Sequence, residues 1–224
     1  MDKMENNTLL KTSILPVFSK MKKGDMFPAI KFLINENKSI IAKIENLKIP
    51  TWNNLVYKLE ESDDKISKAW APIRHLNSVM NDKEIRAQYE KSLNLLTSHY
   101  GKIGQNKKLF SQYKKLYEQN RENLTQSQNK LLENVLQGFR LSGVHLDARK
   151  RKLFRDCQEK LAKLESKFEQ NILDSSNSWA KNFKTSKPLK GMPQSSLEIA
   201  EETAAKRNEV GYTLTLDQPC YMAV

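Results

Sequence analysis

Histidine and cysteine are the residue types through which this chain could hold a metal ion or supply a nucleophile. The three histidines are His75, His99 and His145, and no second histidine stands four residues from any of them. An H-E-x-x-H zinc site needs two histidines on one helical turn. Cys157 and Cys220 are isolated and form no CxxC pair. The sequence therefore predicts no catalytic residue and no metal ligand in this chain.

The remaining polar candidates have structural interpretations. His75 is interpreted as a hydrogen-bonded structural side chain, while His99 and His145 are expected at helix ends, where histidine assists capping. Asp63 and Asp64 are adjacent, which places them about 100° apart on a helix, so the pair is predicted to be a solvated face. The phosphate-binding pattern G-x-x-x-x-G-K-[ST] and the nucleophile pattern G-x-S-x-G do not occur. Substrate-binding residues stay unassigned.

Positive charge is the strongest feature of the composition. Lysine and arginine number 38 against 26 aspartates and glutamates, which gives a formal net charge of +12. The run Arg149-Lys150-Arg151-Lys152 is the best nucleic-acid candidate, or else faces an acidic surface of the same protein. No aromatic residue interleaves this run, as stacking on single strands would require. Nucleic-acid binding is therefore not favoured, and a lysine-rich surface explains the charge.

Composition also limits the class of protein. The chain has 224 residues, of which 38% are hydrophobic, 29% are charged and only 7 are glycine. This combination favours a helix-rich protein with one sizeable domain or two small ones. There is no signal peptide and no stretch of roughly 20 apolar residues that could span a bilayer. Two unpaired cysteines fit a reducing, cytoplasmic location.

Helical spacing of apolar residues predicts a series of helices after an extended arm over residues 1–24. Asp25 is expected to cap the first helix, which Pro50 closes, and Asn81 with Glu84 resembles a capping box for a later one. Ser142-Gly143 should end another helix with a left-handed residue. The predicted apolar stripes contain Phe27, Ile30, Leu33, Ile34, Ile41 and Ile44, then Leu55, Leu59, Ile66, Trp70 and Ile73, then Ile85, Tyr89, Leu93, Leu96, Tyr100 and Ile103, then Leu109, Phe110, Tyr113, Leu116 and Tyr117, and then Leu131, Leu132, Val135, Leu136 and Phe139.

The longest predicted helix follows Asp147, which can cap it, and its apolar stripe is interpreted as core. Ser195 and Glu198 suggest a capping box for a short later helix. The alternation from Tyr212 to Leu216 predicts a half-buried strand, which needs a neighbouring strand. The stripe of the longest helix is Leu153, Phe154, Cys157, Leu161, Leu164, Phe168 and Ile172. The predicted organisation is an arm (1–24), a helical domain (25–186), and a loop, short helix and strand (187–224).

Several short segments, taken together and in order, are similar to the thimet oligopeptidase family, which includes oligopeptidase A. The resemblance extends from about Pro16 to Val224. No single segment is diagnostic, but their order makes the set specific. The segments are Pro16-Val17-Phe18-Ser19-Lys20, Phe27-Pro28-Ala29-Ile30, Thr51-Trp52-Asn53-Asn54-Leu55, Arg74-His75-Leu76-Asn77-Ser78-Val79, Arg86-Ala87-Gln88-Tyr89-Glu90, Phe139-Arg140-Leu141-Ser142-Gly143-Val144, Phe168-Glu169-Gln170-Asn171-Ile172-Leu173-Asp174 with Trp179, Gly191-Met192-Pro193, and Gly211-Tyr212-Thr213-Leu214-Thr215-Leu216-Asp217.

The resemblance implies a cytoplasmic zinc metalloendopeptidase that cuts short peptides in a channel between two mainly helical lobes. In that family the zinc helix with H-E-x-x-H and a further glutamate ligand lies downstream of the matched region, so no catalytic or metal residue is carried over. The fold class implied is the multi-helix N-terminal region of such a peptidase, ending in a short strand. The complete enzyme would hold zinc, and this chain would not.

We therefore expect the N-terminal, channel-wall part of a split, truncated or frame-shifted oligopeptidase that is inactive alone. A separate C-terminal catalytic half is an expected partner, short peptides are the substrates of the complete enzyme, and no membrane is involved. The alternative is a free-standing basic helical module for nucleic acid, an anionic surface or a protein partner. A regulator that pairs with an intact peptidase is a third interpretation.

Overall fold

The structure, a computed structural model, describes residues 6–11, 15–80 and 82–224. It divides into two compact units, Met1–Lys163 and Leu164–Val224. The mainly helical fold predicted from the sequence is confirmed, whereas the limits at residues 24 and 186 stay a prediction. The elements are α1 (Met26–Ile44), α2 (Lys58–Val79), α3 (Lys83–Gly104), α4 (Lys107–Asn120), α5 (Gln126–Leu141), α6 (Ala148–Ser178), β1 (Ala180–Phe183), α7 (Gln194–Lys206), β2 (Tyr212–Thr215) and α8 (Gln218–Tyr221).

Short 3₁₀ turns, rather than an extended arm, make up the segment before α1 where the structure describes it. Leu9 is buried against the core of the first unit. The buried Asn7 donates from its side-chain amide to the carbonyl of Asp25 at 2.9 Å. The expected extended arm is wrong, because burial of these two side chains folds the segment onto the helices. The turns are Thr8–Leu10, Phe18–Lys20 and Lys23–Asp25.

Helix α1 begins without the predicted side-chain cap. Asp25 stands at the N-cap position, but its carboxylate accepts no hydrogen bond from the first turn. The backbone N–H of Phe27 instead donates to Oε1 of Gln88, on α3, at 3.3 Å. A first-turn amide lacks a partner within its own helix, so a neighbouring helix supplies one here. The helix ends at Ile44, before Pro50.

Helices α1, α2 and α3 enclose the first hydrophobic core. Their buried apolar residues recur at three- and four-residue steps, which keeps them on one face of each helix. Trp70 of α2 stacks on Tyr89 of α3, with ring centroids 5.0 Å apart. The core contains Leu9, Met26, Ala29, Ile30, Leu33, Ile34, Ile66, Ala69, Ile73, Ile85, Tyr89 and Leu96.

A second core joins the end of α1 to α4 and α5. A π-helical turn, Trp52–Tyr57, leads into α2 and contributes to this core, and Thr51 and Asn54 form a capping box at its start. Phe110 and Tyr113 lie against the ring of Phe139, with centroids 5.7 and 5.8 Å away. The buried members are Ile41, Ile44, Leu55, Val56, Leu59, Leu109, Tyr113, Leu116, Leu132, Leu136, Phe139 and Val144.

The C-terminal end of α5 has the left-handed residue predicted for it. Gly143 has φ +79°. Its N–H donates to the carbonyl of Arg140, and the N–H of Val144 donates to the carbonyl of Phe139. This pair of bonds is a Schellman motif, which satisfies carbonyls that the helix end leaves free. The chain then turns toward Asp147, whose Oδ1 accepts from Lys150 N at 2.8 Å and caps α6 as predicted.

The apolar stripe of α6, predicted to be core, is exposed. Five of its side chains are each more than half exposed, and Cys157 is exposed as well. Ser166 is instead the buried residue of this helix. The prediction is wrong because periodicity identifies an apolar face but not whether anything covers it. The five side chains are Leu153, Leu161, Leu164, Phe168 and Ile172.

Two antiparallel strands and α7 form the body of the second unit. The strand predicted near Tyr212 is found as β2, and its neighbour is β1, which was not predicted; Ala180 pairs with Thr215 and Phe183 with Tyr212. Gly211 has φ +97°, and a Cβ there would lie 2.2 Å from the carbonyl oxygen of Phe183. The connection into β2 therefore requires glycine.

Of the two other predicted capping boxes, one includes a residue outside the described part of the chain and the other is absent from the structure. Asn81 lies outside the described residues, and α3 is capped by Asp82, whose Oδ1 accepts from Glu84 N at 3.0 Å and Ile85 N at 2.9 Å. Ser195 lies inside α7, which follows Pro193 without a side-chain cap. The Ser195–Glu198 box is therefore wrong, because α7 begins before its proposed cap.

Gly143→Ala tests the Schellman turn, and Gly138→Ala is its matched control. We expect Gly143→Ala to lower the free energy of unfolding by about 1–2 kcal/mol, because a left-handed conformation costs an L-residue that much. An added Cβ would also meet Leu146 Cδ1 at 2.6 Å. Gly138 lies inside α5 with nothing within 4 Å of an added Cβ.

We expect Gly138→Ala to raise the free energy of unfolding by about 0.5–1 kcal/mol, since alanine is the better helix former. Urea unfolding followed by circular dichroism measures both variants. Equal effects of the same sign would contradict the assigned backbone conformations.

Candidate functional site

A buried polar cluster lies where α1, α2 and α3 meet, and it includes two of the candidate side chains considered from the sequence, His99 and Asp63. Asn37 of α1 is fully buried. Its Nδ2 donates to Ser62 Oγ at 2.9 Å and to Asp63 Oδ1 at 3.1 Å. Tyr100 also donates its hydroxyl to Asp63 Oδ1, at 3.4 Å. His99 Nε2 lies 2.9 Å from Asn37 Oδ1 on the other side of the amide.

These contacts determine which nitrogen of His99 carries the proton. An ionised Asp63 carboxylate only accepts hydrogen bonds, so the atom of Asn37 that faces it must be the amide nitrogen. The amide oxygen of Asn37 then faces His99 and can only accept. His99 is therefore the tautomer protonated on Nε2, and it acts as a donor in this cluster.

Burial also decides the charges of the cluster. Burial and, to a smaller extent, the nearby charge of Glu60 raise the pKa of the Asp63 carboxyl to about 6, while the hydrogen bonds from Tyr100 and Asn37 oppose this shift. Burial lowers the pKa of the His99 imidazole to about 4, and the charges of Lys38 and Lys102 act in the same direction. At neutral pH, His99 is thus uncharged and Asp63 is mostly ionised.

The hydrogen bonds of the cluster favour a structural role rather than catalysis. Ser62 is bonded to Asn37 and not to His99, so the nucleophile–base contact of a hydrolase is missing from this arrangement. The expected capping role of His99 is wrong, because its side chain is buried within α3. The expected solvated Asp63-Asp64 face is wrong for Asp63, which is half-buried in the cluster. Asp64 is exposed, and its Oδ2 lies 2.6 Å from Lys68 Nζ.

The other histidines and the cysteines lie apart from this cluster. His75 is exposed, with its ring centroid 5.6 Å from that of Phe18. His145 is exposed beside a shallow apolar depression that Phe110 and Val144 line. Across residues 6–11, 15–80 and 82–224, no three histidine, cysteine, aspartate or glutamate side chains come together as metal ligands. The described side chains therefore do not fit a zinc ion.

Cys157 and Cys220 are both free thiols in different settings. Cys157 is exposed on α6. The Cys220 sulfur accepts a hydrogen bond from the backbone N–H of Thr215 at 3.3 Å, so it stabilises the end of β2. Each cysteine has a surface or structural position, and the two do not form a reactive pair.

The basic run at the start of α6 is partly engaged within the first unit. Arg151 donates to the carbonyl of Gln105 at 3.3 Å, and Arg155, one turn later, donates to the side-chain oxygen of Gln105. Lys150 Nζ lies 3.7 Å from Asp147 Oδ2. These contacts attach α6 to the turn between α3 and α4. Part of the basic run therefore has protein partners and needs no nucleic acid to explain it. The arginines bind Gln105, an amide residue, and not the acidic surface considered from the sequence.

No helix in the part of the chain that the structure describes combines the length and the apolar character needed to cross a membrane.

Asp63→Asn tests the electrostatics of the polar cluster. A folded-state pKa of about 6, above the ordinary value of 3.8, means that the ionised carboxylate is disfavoured by folding. The cost is absent below pH 3.8 and fully present above pH 6. Asparagine keeps an acceptor for Asn37 and Tyr100 without the charge. We therefore expect the stability gained by Asp63→Asn to grow as the pH rises from about 4 to 6.

Urea unfolding of this variant and of the unmodified chain at each pH measures that gain. Both proteins contain His99, so its titration contributes nearly equally to both stabilities and cancels in the difference. Asp64→Asn is the matched control, because Asp64 is an exposed ion-pair partner and should change stability by less than about 1 kcal/mol with little dependence on pH. A gain at Asp63 that stays constant with pH would contradict the assigned environment.

Comparison with known proteins identifies relatives along the whole chain. Oligopeptidase A of Haemophilus influenzae is 35% identical over 222 residues, which are 98% of this chain and 32% of the relative. Oligopeptidase A of Escherichia coli is 34% identical over 220 residues, 97% of this chain and 32% of the relative. A probable cytosolic oligopeptidase A of Arabidopsis thaliana is 29% identical over 231 residues, all of this chain and 33% of the relative. The chain thus spans about a third of the length of these relatives.

A family model gives the same result. The model of the neurolysin/thimet oligopeptidase N-terminal domain matches residues 30–152, which cover α2 to α5, most of α1 and the start of α6. The resemblance drawn from the ordered segments of the sequence is therefore confirmed. The chain belongs to the neurolysin/thimet oligopeptidase family and contains the N-terminal domain of that family.

Proposed function

We propose that this chain is the N-terminal, non-catalytic part of an oligopeptidase A-like zinc metalloendopeptidase that hydrolyses short peptides. The observation that carries the proposal is the match along nearly the whole chain to proteins named oligopeptidase A, of which it covers only about a third. The remaining two thirds of such a protein would supply the zinc chemistry. This chain would form one wall of the peptide channel, in a cytoplasmic enzyme.

The placement of the histidines supports a non-catalytic role. A catalytic zinc site needs three protein ligands with an open fourth position. His99 is buried and donates to Asn37, while His75 and His145 are exposed in different parts of the first unit. No described trio of ligand-type side chains fits the metal. We therefore assign no step of hydrolysis to a residue of this chain.

What the chain would contribute is a rigid surface. Its first unit has two apolar cores and the buried Asn37 cluster, which connect α1, α2 and α3 through hydrogen bonds as well as packing. A channel that admits only short peptides requires rigid walls, and closely packed helices are rigid because protein interiors have low compressibility. Specificity residues on this wall stay unassigned.

A chimera tests this proposal. In it, the chain replaces the matched 222 residues of the Haemophilus influenzae protein, and hydrolysis of a fluorogenic short peptide and bound zinc are measured. We expect the chimera to hydrolyse the peptide in a chelator-sensitive manner and to bind zinc, because the ligands come from the Haemophilus influenzae part.

The isolated chain should neither hydrolyse the peptide nor retain stoichiometric zinc after gel filtration. The unmodified Haemophilus influenzae protein is the positive control. Turnover by the isolated chain would contradict the non-catalytic role. A folded chimera without turnover would contradict the assignment of the chain as a functional N-terminal part.

A further inference from the structure

Within the second unit, Leu164, Phe168 and Ile172 form an apolar face on α6. These side chains stand four residues apart, so they lie along one side of the helix. All three are more than half exposed. Single exposed apolar residues are common on protein surfaces, but a regular row of three large ones is not scatter. A covering surface is therefore missing from the described residues.

The burial of Ser166 shows that the side of α6 opposite to Leu164 is the covered one. Ser166 is two residues from Leu164, about 200° around the helix, and it is buried. The covered side of α6 at this level thus has a serine, and the apolar side faces outward. An amphipathic helix oriented in this way has its apolar face available to something other than the residues that bury Ser166.

The second unit cannot cover the face from its own core. Its buried apolar cluster consists of Leu189, Ala200 and Leu214, and no residue of α6 is among them or among the side chains partly buried against them, which are Phe183, Met192, Leu197, Tyr212 and Cys220. A unit of about 60 residues buries a smaller fraction of its surface than a larger domain does, and here the larger apolar side chains of α6 are left outside. The helix is long and regular, so its exposed face is an ordered surface that an apolar partner could contact without further ordering.

We infer that this face of α6 is the contact surface for the remaining two thirds of an oligopeptidase A-like chain, which would present an apolar surface to it. The inference rests on the proposed function. The relatives contain about three times the length of this chain, and the extra polypeptide is the occupant that the comparisons supply.

The area of the face favours this occupant over a second copy of the chain. Three side chains at these exposures leave on the order of 300 Å² uncovered, whereas a stable interface buries roughly 800 Å² on each partner. A segment of the same polypeptide needs less area, because covalent linkage gives it a high effective concentration.

The experiment compares two triple variants in the isolated chain and in the Haemophilus influenzae chimera. Leu164→Ala, Phe168→Ala and Ile172→Ala remove the face. Alanine favours helix, so α6 should persist in both variants. The control triple uses exposed polar positions with the same spacing, rotated by about 100°: Lys163→Ala, Lys167→Ala and Asn171→Ala.

We expect the face variant to melt at the same temperature as the unmodified protein when isolated, because the side chains are exposed there. In the chimera, it should melt several degrees lower and lose most peptide hydrolysis, while the control triple changes neither property. An unchanged chimera would overturn the inference and leave the proposed function intact. An inactive chimera with the unmodified sequence would instead remove the proposed function, and the inference with it.

Sedimentation velocity of the isolated chain covers the second-copy interpretation. The expected result is the same sedimentation coefficient for the unmodified chain and the face variant across protein concentrations. A dimer that the face variant abolishes and the control triple retains would overturn the inference, because the face would then be an interface between copies.

Discussion

The register in which α1, α2 and α3 pack is set by the hydrogen bonds of one buried amide, that of Asn37. Apolar packing is non-directional and would tolerate a shift of one helix along another, whereas hydrogen bonds to Ser62, Asp63 and His99 require one register. Leaving this amide without partners would cost about 1–3 kcal/mol for each polar group. The free energy of this core therefore comes from apolar burial, and its register comes from the polar contacts within it.

The sequence predicts the helices well and their surroundings poorly. Helical spacing locates α1 to α6, and the glycine signal after α5 identifies the turn at Gly143, because both effects are local. Whether a face is covered is a long-range property, and so the exposed α6 face was interpreted as core. Strand β1 was missed for a related reason: Ala180–Phe183 includes a lysine and an asparagine, and its structure depends on pairing with β2.

The polar cluster has a signal in the sequence that lies outside the histidines. Asn37 stands in the apolar stripe of α1, between Ile34 and Ile41, where a polar side chain must find partners when it is buried. The identity of those partners is not local. His99 lies 62 residues from Asn37, and only packing of α3 against α1 shows that it is a buried donor rather than a helix cap.

The two units differ in how completely they cover their own apolar residues. The first unit encloses two cores from several helices, whereas the buried cluster of the second unit is small and leaves Phe168, Tyr221 and Met222 largely exposed. Ordering about 60 residues costs conformational entropy that apolar burial at roughly 25 cal/mol per Å² must offset. Under the proposed function, this unit would be part of a larger folded body rather than an independent domain, since the relatives are about three times as long as this chain.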